Sequence, residues 1–169
     1  MTDISVPQLI NNLADALAPL FKNPQQPIIV GIETGGYWIA EALHNKIRPT
    51  TELGKLNITF YRDDYTKIGL HPTVKPSSLP TNIDGKVIIL VDDVLYSGRT
   101  VRAAMNELFD YGRPEKILLA ILVDRGEREL PIQPDYVGHT LRLNTNEQIK
   151  LEGPEPYTLS IQQIELTEA

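Results

Sequence analysis

Two adjacent carboxylates, Asp92 and Asp93, stand just before a small polar turn, Tyr96-Ser97-Gly98-Arg99-Thr100. Paired acids suit a sugar diol or a hard cation such as Mg²⁺. A turn of this kind at a helix N-terminus offers backbone N–H groups and two hydroxyls to an anion such as phosphate. Together the two features imply a ribose phosphate. The elements that hold them are legible on either side. Val87-Ile88-Ile89-Leu90-Val91 is apolar without alternation, as in a strand covered on both faces of a parallel sheet. After the turn, Val101, Met105, Leu108 and Phe109 make an amphipathic helical run, which Gly112-Arg113-Pro114 ends. The order is strand, acidic pair, tight loop, helix. The plainer alternative for Asp92-Asp93 is a solvated strand end or a helix cap.

The chain has 169 residues, 41% hydrophobic and 22% charged, ordinary values for a globular protein, and a single domain over 1–169 is expected. The absence of cysteine excludes disulfides and thiolate metal sites. Three scattered histidines, His44, His71 and His139, argue against zinc. No signal peptide is visible and no apolar run approaches a membrane span, so a cytoplasmic protein with no membrane partner is expected. Net charge is −6, from 16 basic and 22 acidic residues. That argues against broad nucleic-acid affinity and leaves a local basic patch open.

Ser5-Val6-Pro7-Gln8 has capping-box spacing, and Val6, Leu9, Ile10, Leu13, Leu17, Leu20 and Phe21 follow as a helical stripe. Such a stripe faces a core or a subunit; the other reading is a partner surface. Asn23 to Pro27 breaks the helix. Ile28 to Ile32 then reads as a buried strand. Glu33-Thr34-Gly35-Gly36 turns into a helix carrying Trp38, Ile39, Leu43 and Ile47. Paired glycines let backbone approach an anion closely, and a plain turn is the alternative. Leu56 to Tyr61 is β-prone. Thr66 to Asp84 is polar, holds Pro72, Pro76 and Pro80, and shows no apolar period, so it reads as a lid, an arm or disorder. Ile117 to Val123 is a second continuous apolar run, ending in Asp124-Arg125-Gly126. Ligands sit at the carboxyl ends of parallel strands, which puts the ends at Ile32, Val91 and Val123 on one rim. Tyr136 to Leu141 reads as an edge strand, and Glu152 to Pro156 as a turn. Tyr157 to Leu166 is a last β-prone segment, for a cap over the site or an interface.

The stretch VDDVLYSGRT resembles the signature of the type I phosphoribosyltransferases, which bind phosphoribosyl pyrophosphate (PRPP). VDDVLYSGRTVRAAM, then Gly112-Arg113-Pro114 and LVDRGERELPI (Leu122 to Ile132), is similar to the pyrimidine operon regulator (PyrR) family, whose members double as uracil phosphoribosyltransferases. The likeness spans Ile28 to Leu141. It implies an α/β fold with a central, mostly parallel sheet flanked by helices, a flexible arm and a small hood. It also implies a reaction, uracil plus PRPP giving UMP and pyrophosphate. Mg²⁺ would be carried on PRPP, with no metal held by the protein alone. Asp92 and Asp93 would bind the ribose hydroxyls. Leu95, Tyr96, Ser97, Gly98, Arg99 and Thr100 would fix the 5′-phosphate, and Thr34, Gly35 and Gly36 would take the pyrophosphate. Val123, Asp124 and Arg125 would line the nucleobase pocket, largely through backbone groups; the alternative for Asp124-Arg125 is an ion pair that orders the rim. Arg62, at the root of the arm, would meet the leaving pyrophosphate; the alternative is a pairing with Asp63, Asp64 or another surface acid. Purine enzymes of the superfamily often carry an Asp where Tyr96 stands, which favours a pyrimidine.

Two departures accompany the resemblance. Family members often carry Lys-Thr-Arg-Gly in the pyrophosphate loop, where this chain has Glu33 and Gly35 in the basic places. Glu33 facing inward would repel pyrophosphate; turned away, it leaves backbone amides to bind. The family also binds leader RNA through a basic dimer face. Here the first 32 residues hold one basic residue, Lys22, Glu127 precedes Arg128, and Gln133 stands in place of a base. A homo-oligomer is expected from the resemblance, with weak or absent RNA binding. The rival readings are an RNA-binding attenuator that senses PRPP or UMP with little turnover, a PRPP sensor without turnover, and a Mg²⁺-dependent phosphoryl-transfer protein. The last fits poorly, because dehalogenase-like phosphatases want Asp-x-Asp and receiver domains keep their acid pair near the first strand.

Overall fold

The structure is a computed structural model and describes residues 4–58, 77–80 and 82–166. Ser5 opens α1 (Val6–Leu17): its Oγ accepts the Gln8 N–H at 3.4 Å, and Pro7 sits in the first turn, where a missing N–H leaves no bond unmade. Val6, Leu9, Ile10, Leu13 and Leu17 are buried along one stripe. A 3-10 turn, Ala18–Lys22, then carries Leu20 and Phe21 off the regular α stripe.

The strands are β1 (Ile28–Ile32), β2 (Gly54–Leu56), β3 (Val87–Leu95), β4 (Lys116–Asp124) and β5 (Tyr136–Thr140); α2 (Gly35–Ile47) follows β1 and α3 (Arg99–Tyr111) follows β3. They form one sheet in the order β2-β1-β3-β4-β5, parallel throughout. The unbroken apolar runs of β3 and β4 require cover on both faces. α1 and α2 close one side over Ile29, Ile89, Leu118 and Leu122. α3 closes the other over Val30, Ile88, Leu90 and Ile121. Each such side chain contributes about 1.5–3 kcal/mol by leaving water. A separate antiparallel hairpin, β6 (Glu147–Glu152) and β7 (Thr158–Gln163), packs Ile149 and Leu151 into the α1–α2 side.

Several expectations shift. The acid pair lies inside β3, which runs on to Leu95, because β4 keeps pairing with it as far as Leu95↔Asp124. β2 is shorter and earlier than the segment from Leu56, and Asn57 and Ile58 lie outside it; Thr59 to Tyr61 fall outside the described residues. Phe109 is 54% exposed, since Val101, Ala104 and Leu108 make the buried stripe of α3 and Phe109 sits a step round the helix from Leu108. β6 adds a strand beyond those expected, and its Ile149 and Leu151 alternate with polar neighbours as a half-buried strand should. Arg62 and most of the expected arm, Thr66 to Asp84, lie outside the described residues.

Candidate active site

From β1 the chain passes through α2 to β2, and from β3 through α3 to β4 on the other side. The connections therefore diverge between β1 and β3, the point in an open α/β sheet where a crevice forms. Pairing of β1 with β3 ends at Gly31↔Val91, whereas pairing of β3 with β4 continues through Asp92↔Ile121 to Leu95↔Asp124. Residues 92–95 thus extend beyond the last contact of β3 with β1, and both acids sit on this overhang.

The Gly35-Gly36 turn closes over them from the β1 side. A Cβ on Gly36 would lie 2.7 Å from the Val91 carbonyl oxygen and 2.8 Å from Asp92 Oδ1; one on Gly35 would lie 2.8 Å from Asp93 Cγ. Only glycine permits that approach. Both acids face this one turn, which regular two-residue alternation would forbid. The alternation slips here: Val91 and Val94 both pack with the α1–α2 side, Leu90 and Leu95 with the α3 side. Asp92 is 5% exposed, and its Oδ1 accepts the Asp93 N–H at 2.9 Å. Asp93 Oδ1 accepts the Val94 N–H at 2.8 Å. These bonds fix both carboxylates. Among the described residues no group of three or more His, Cys, Asp or Glu side chains could hold a metal. A pair of carboxylates offers the oxygen ligands that Mg²⁺ prefers when substrate supplies the rest.

The polar turn opens α3 as the sequence predicts. Gly98 is the N-cap at φ +94°, a left-handed conformation that favours glycine. Ser97 Oγ accepts the Arg99 N–H at 3.2 Å. Asp92, Leu95, Tyr96, Ser97, Gly98 and Thr100 line a concavity of about 100 Å³. The back of the turn is held from outside, because the Ser97 carbonyl accepts the N–H groups of both Glu129 and Leu130 at 3.0 Å. The Arg99–Glu129 pair, 2.8 Å long with both side chains half-exposed, adds little to stability.

At the end of β4, Val123 is fully buried. The Asp124 carboxylate accepts the Gly126 N–H at 2.9 Å and Arg128 Nη2 at 2.7 Å. Burial opposes its ionisation, but the Arg128 bond, the Gly126 amide and the Arg128 charge outweigh burial and hold its pKa below the ordinary value. Arg125 is nearly buried, donates its N–H to the Leu95 carbonyl at 3.0 Å and lies over the Tyr96 ring at 4.0 Å. Among the described residues the buried Arg125 Nε has no hydrogen-bond partner. Sequence reasoning connects Arg128 only with RNA. Here its guanidinium bonds Asp124, the Tyr96 carbonyl at 3.0 Å and the Ile132 carbonyl at 2.8 Å, joining the β4 rim to the polar turn. The visible signal was an opposite-charge pair four residues apart.

Thr34 is the exposed N-cap of α2. Glu33 turns toward β2, on the far side of β1 from the acid pair, and its Oε1 lies 3.4 Å from Lys55 Nζ. A larger hollow, about 690 Å³, lies elsewhere, between α1, its 3-10 extension and the end of α2; Gln8, Phe21, Lys22 and Lys46 line it, and no sequence-predicted site residue does. No described helix is long and apolar enough to cross a membrane.

Comparison with known proteins agrees with this geometry. Residues 5–155 match the phosphoribosyl transferase domain. The chain is 53% identical to the bifunctional protein PyrR of Nitrosococcus oceani, over 98% of this chain and 96% of that one. It is likewise 53% identical to the bifunctional protein PyrR of Pseudomonas aeruginosa, over 91% and 89%. Among solved structures, a hypoxanthine-guanine phosphoribosyltransferase of Bacillus anthracis shares the fold, with TM-score 0.65 and 22% identity over 88% of this chain and 86% of that one. With the domain matched over most of its length and relatives this similar end to end, the chain belongs to the phosphoribosyl transferase domain family and, within it, to the PyrR proteins.

Proposed function

We propose that this chain transfers the phosphoribosyl group of PRPP to uracil, releasing UMP and pyrophosphate. The observation that carries the reading is the crevice between β1 and β3, where the fixed acid pair, the glycine turn and the polar turn meet. Asp92 and Asp93 accept hydrogen bonds from the ribose hydroxyls and hold the ring while positive charge develops at C1. The segment from Leu95 to Thr100 binds the 5′-phosphate through amides and hydroxyls at the start of α3. Thr34, Gly35 and Gly36 receive the pyrophosphate. Val123, Asp124 and Arg125 border the base; the Asp124 carboxylate is committed to Arg128 and Gly126, so its part is to shape that rim. Arg62 meets the departing pyrophosphate. Mg²⁺ would arrive with PRPP and would supply charge neutralisation for the leaving pyrophosphate, with Asp92 and Asp93 left to hold the ribose. Positioning and electrostatics then do the catalysis, and alignment alone can supply on the order of 7–11 kcal/mol.

UMP formation from uracil, PRPP and Mg²⁺, with other bases run in parallel, tests the reading. Uracil-specific turnover is expected. Absence of both turnover and saturable PRPP or UMP binding would overturn it.

The resemblance also brings leader RNA as a partner, and weak or absent binding is expected. Affinity for RNA rests on neutralised phosphates. Arg128 is committed to three internal acceptors, and exposed Gln133 carries no charge. Submicromolar, UMP-dependent binding of a pyrimidine-leader RNA at physiological salt would contradict this expectation. Light scattering tests the expected homo-oligomer.

A further inference from the structure

Glu33 is the anomaly of the site. It opens the loop assigned above to pyrophosphate and carries the same sign of charge as that ligand. The structure shows how the conflict is met. Lys55 aligns with Gly31 in the β1–β2 register, and Glu33 is the first residue of the turn that follows β1, so the two stand side by side where the strand ends. Lys55 Nζ lies 3.4 Å from Glu33 Oε1, with 29% and 17% of the two side chains exposed, and 5.1 Å from the centre of the Tyr37 ring. The pair is therefore largely shielded, where charges act more strongly than at an open surface.

The backbone on both sides is fixed. The Glu33 N–H bonds the Leu56 carbonyl at 2.8 Å. Lys55 exchanges two bonds with Ser78, its N–H to the Ser78 carbonyl at 2.7 Å and its carbonyl accepting the Ser78 N–H at 2.8 Å. Lys55 is thus held between β1 and the described residues 77–80, with its ammonium over the first turn of α2. An ammonium has three donors, and its stem lets it follow the carboxylate.

We infer that Lys55 is a positioning residue for the pyrophosphate loop: it draws the Glu33 carboxylate toward β2 and offsets its charge, so that the amides from Thr34 to Gly36 meet the anion without a facing carboxylate. Cationic support for this loop comes from the neighbouring strand and not from the loop itself. The inference rests on the assignment of this loop to pyrophosphate, and the role of Lys55 runs through Glu33.

Steady-state kinetics on four variants test it, beside PRPP binding by calorimetry. Lys55→Met raises KM and Kd for PRPP about tenfold and leaves kcat within about twofold, because the unscreened carboxylate opposes binding more than chemistry. Lys55→Arg stays near the wild type. Adding Glu33→Gln to Lys55→Met returns KM to within about twofold of wild type, because the charge that Lys55 offsets has gone. Glu33→Gln alone leaves KM unchanged or lowers it. A purely structural role would reduce the active fraction and the melting temperature without this suppression. An unchanged KM in Lys55→Met, or a double variant no better than Lys55→Met, overturns the inference. A wild type inert toward PRPP removes the phosphoribosyltransferase reading itself, whereas a working wild type beside an unaltered Lys55→Met removes only the role of Lys55.

Discussion

Gly36 and Asp92 approach so closely that a methyl group on Gly36 would meet Asp92 Oδ1 at 2.8 Å, Asp92 Cα at 2.9 Å and the Val91 carbonyl oxygen at 2.7 Å. The first turn of α2 and the overhang of β3 are thereby set by one contact. Two of those three atoms are backbone, which cannot rotate aside. Gly36→Ala is expected to cost about 1–3 kcal/mol of stability and to lower kcat/KM at least about a hundredfold. For Gly35→Ala the three nearest atoms all belong to the Asp93 side chain, so a milder loss of about tenfold is expected. Melting temperature and kcat/KM measured on both variants check the order; equal losses would contradict it.

Asp93→Asn keeps an oxygen to accept the Val94 N–H, so the local fold survives. What goes is the charge that the proposed mechanism sets beside the ribose. We expect kcat/KM for PRPP to fall at least about tenfold with the melting temperature within a few degrees. An unchanged kcat/KM would remove Asp93 from the mechanism.

Gly98 sits at φ +94°, and a Cβ there would lie 3.2 Å from Ile132 Cβ. Gly98→Ala strains the cap and pushes the polar turn off the segment behind it. A loss of about 1–2 kcal/mol is expected, a fall of several degrees in melting temperature for a chain of this size. UMP affinity is expected to drop about tenfold if this turn holds the phosphate, which calorimetry reads directly.

Arg128→Gln removes the cation that keeps Asp124 ionised. Because the folded pKa of Asp124 is lowered, its charge stabilises the protein above the unfolded carboxylate pKa of about 3.9, and that contribution is lost as pH falls through the folded value. In the variant, burial dominates and raises the Asp124 pKa. The gap in melting temperature between wild type and variant should therefore be widest near neutral pH and narrow toward pH 3. At neutral pH the expected cost is about 2–4 kcal/mol, since both partners are mostly buried. A gap that does not change with pH would mean the ion pair is not its source.

Much of the molecule could be read along the chain. The runs at Ile28, Val87 and Ile117 show no alternation, and the helices between them show a helical period. Local pattern sufficed there, because a short apolar run without alternation, bounded by turn residues, suits a strand covered on both faces. Asp92, Asp93 and Tyr96 to Thr100 stood out because the chemistry is contiguous, on one strand–loop–helix unit. Asn57 and Ile58 depart from the expected strand because β-prone composition says nothing of where a neighbouring strand stops pairing. Phe109 misled because adjacent apolar residues cannot both sit at the centre of a helical stripe.

By itself the sequence determined the fold class, the acid pair and the polar turn, since each depends on residues close together in the chain. Tertiary structure alone decided which groups face one another. The β2-β1-β3 order leaves the overhang that sets the acids against Gly35 and Gly36. Parallel register brings Lys55 to Glu33, and the turn after β4 lays Arg128 across the polar turn. Partners separated by 22 or 32 residues leave no local signature, because their meeting is fixed by strand order and register rather than by spacing along the chain.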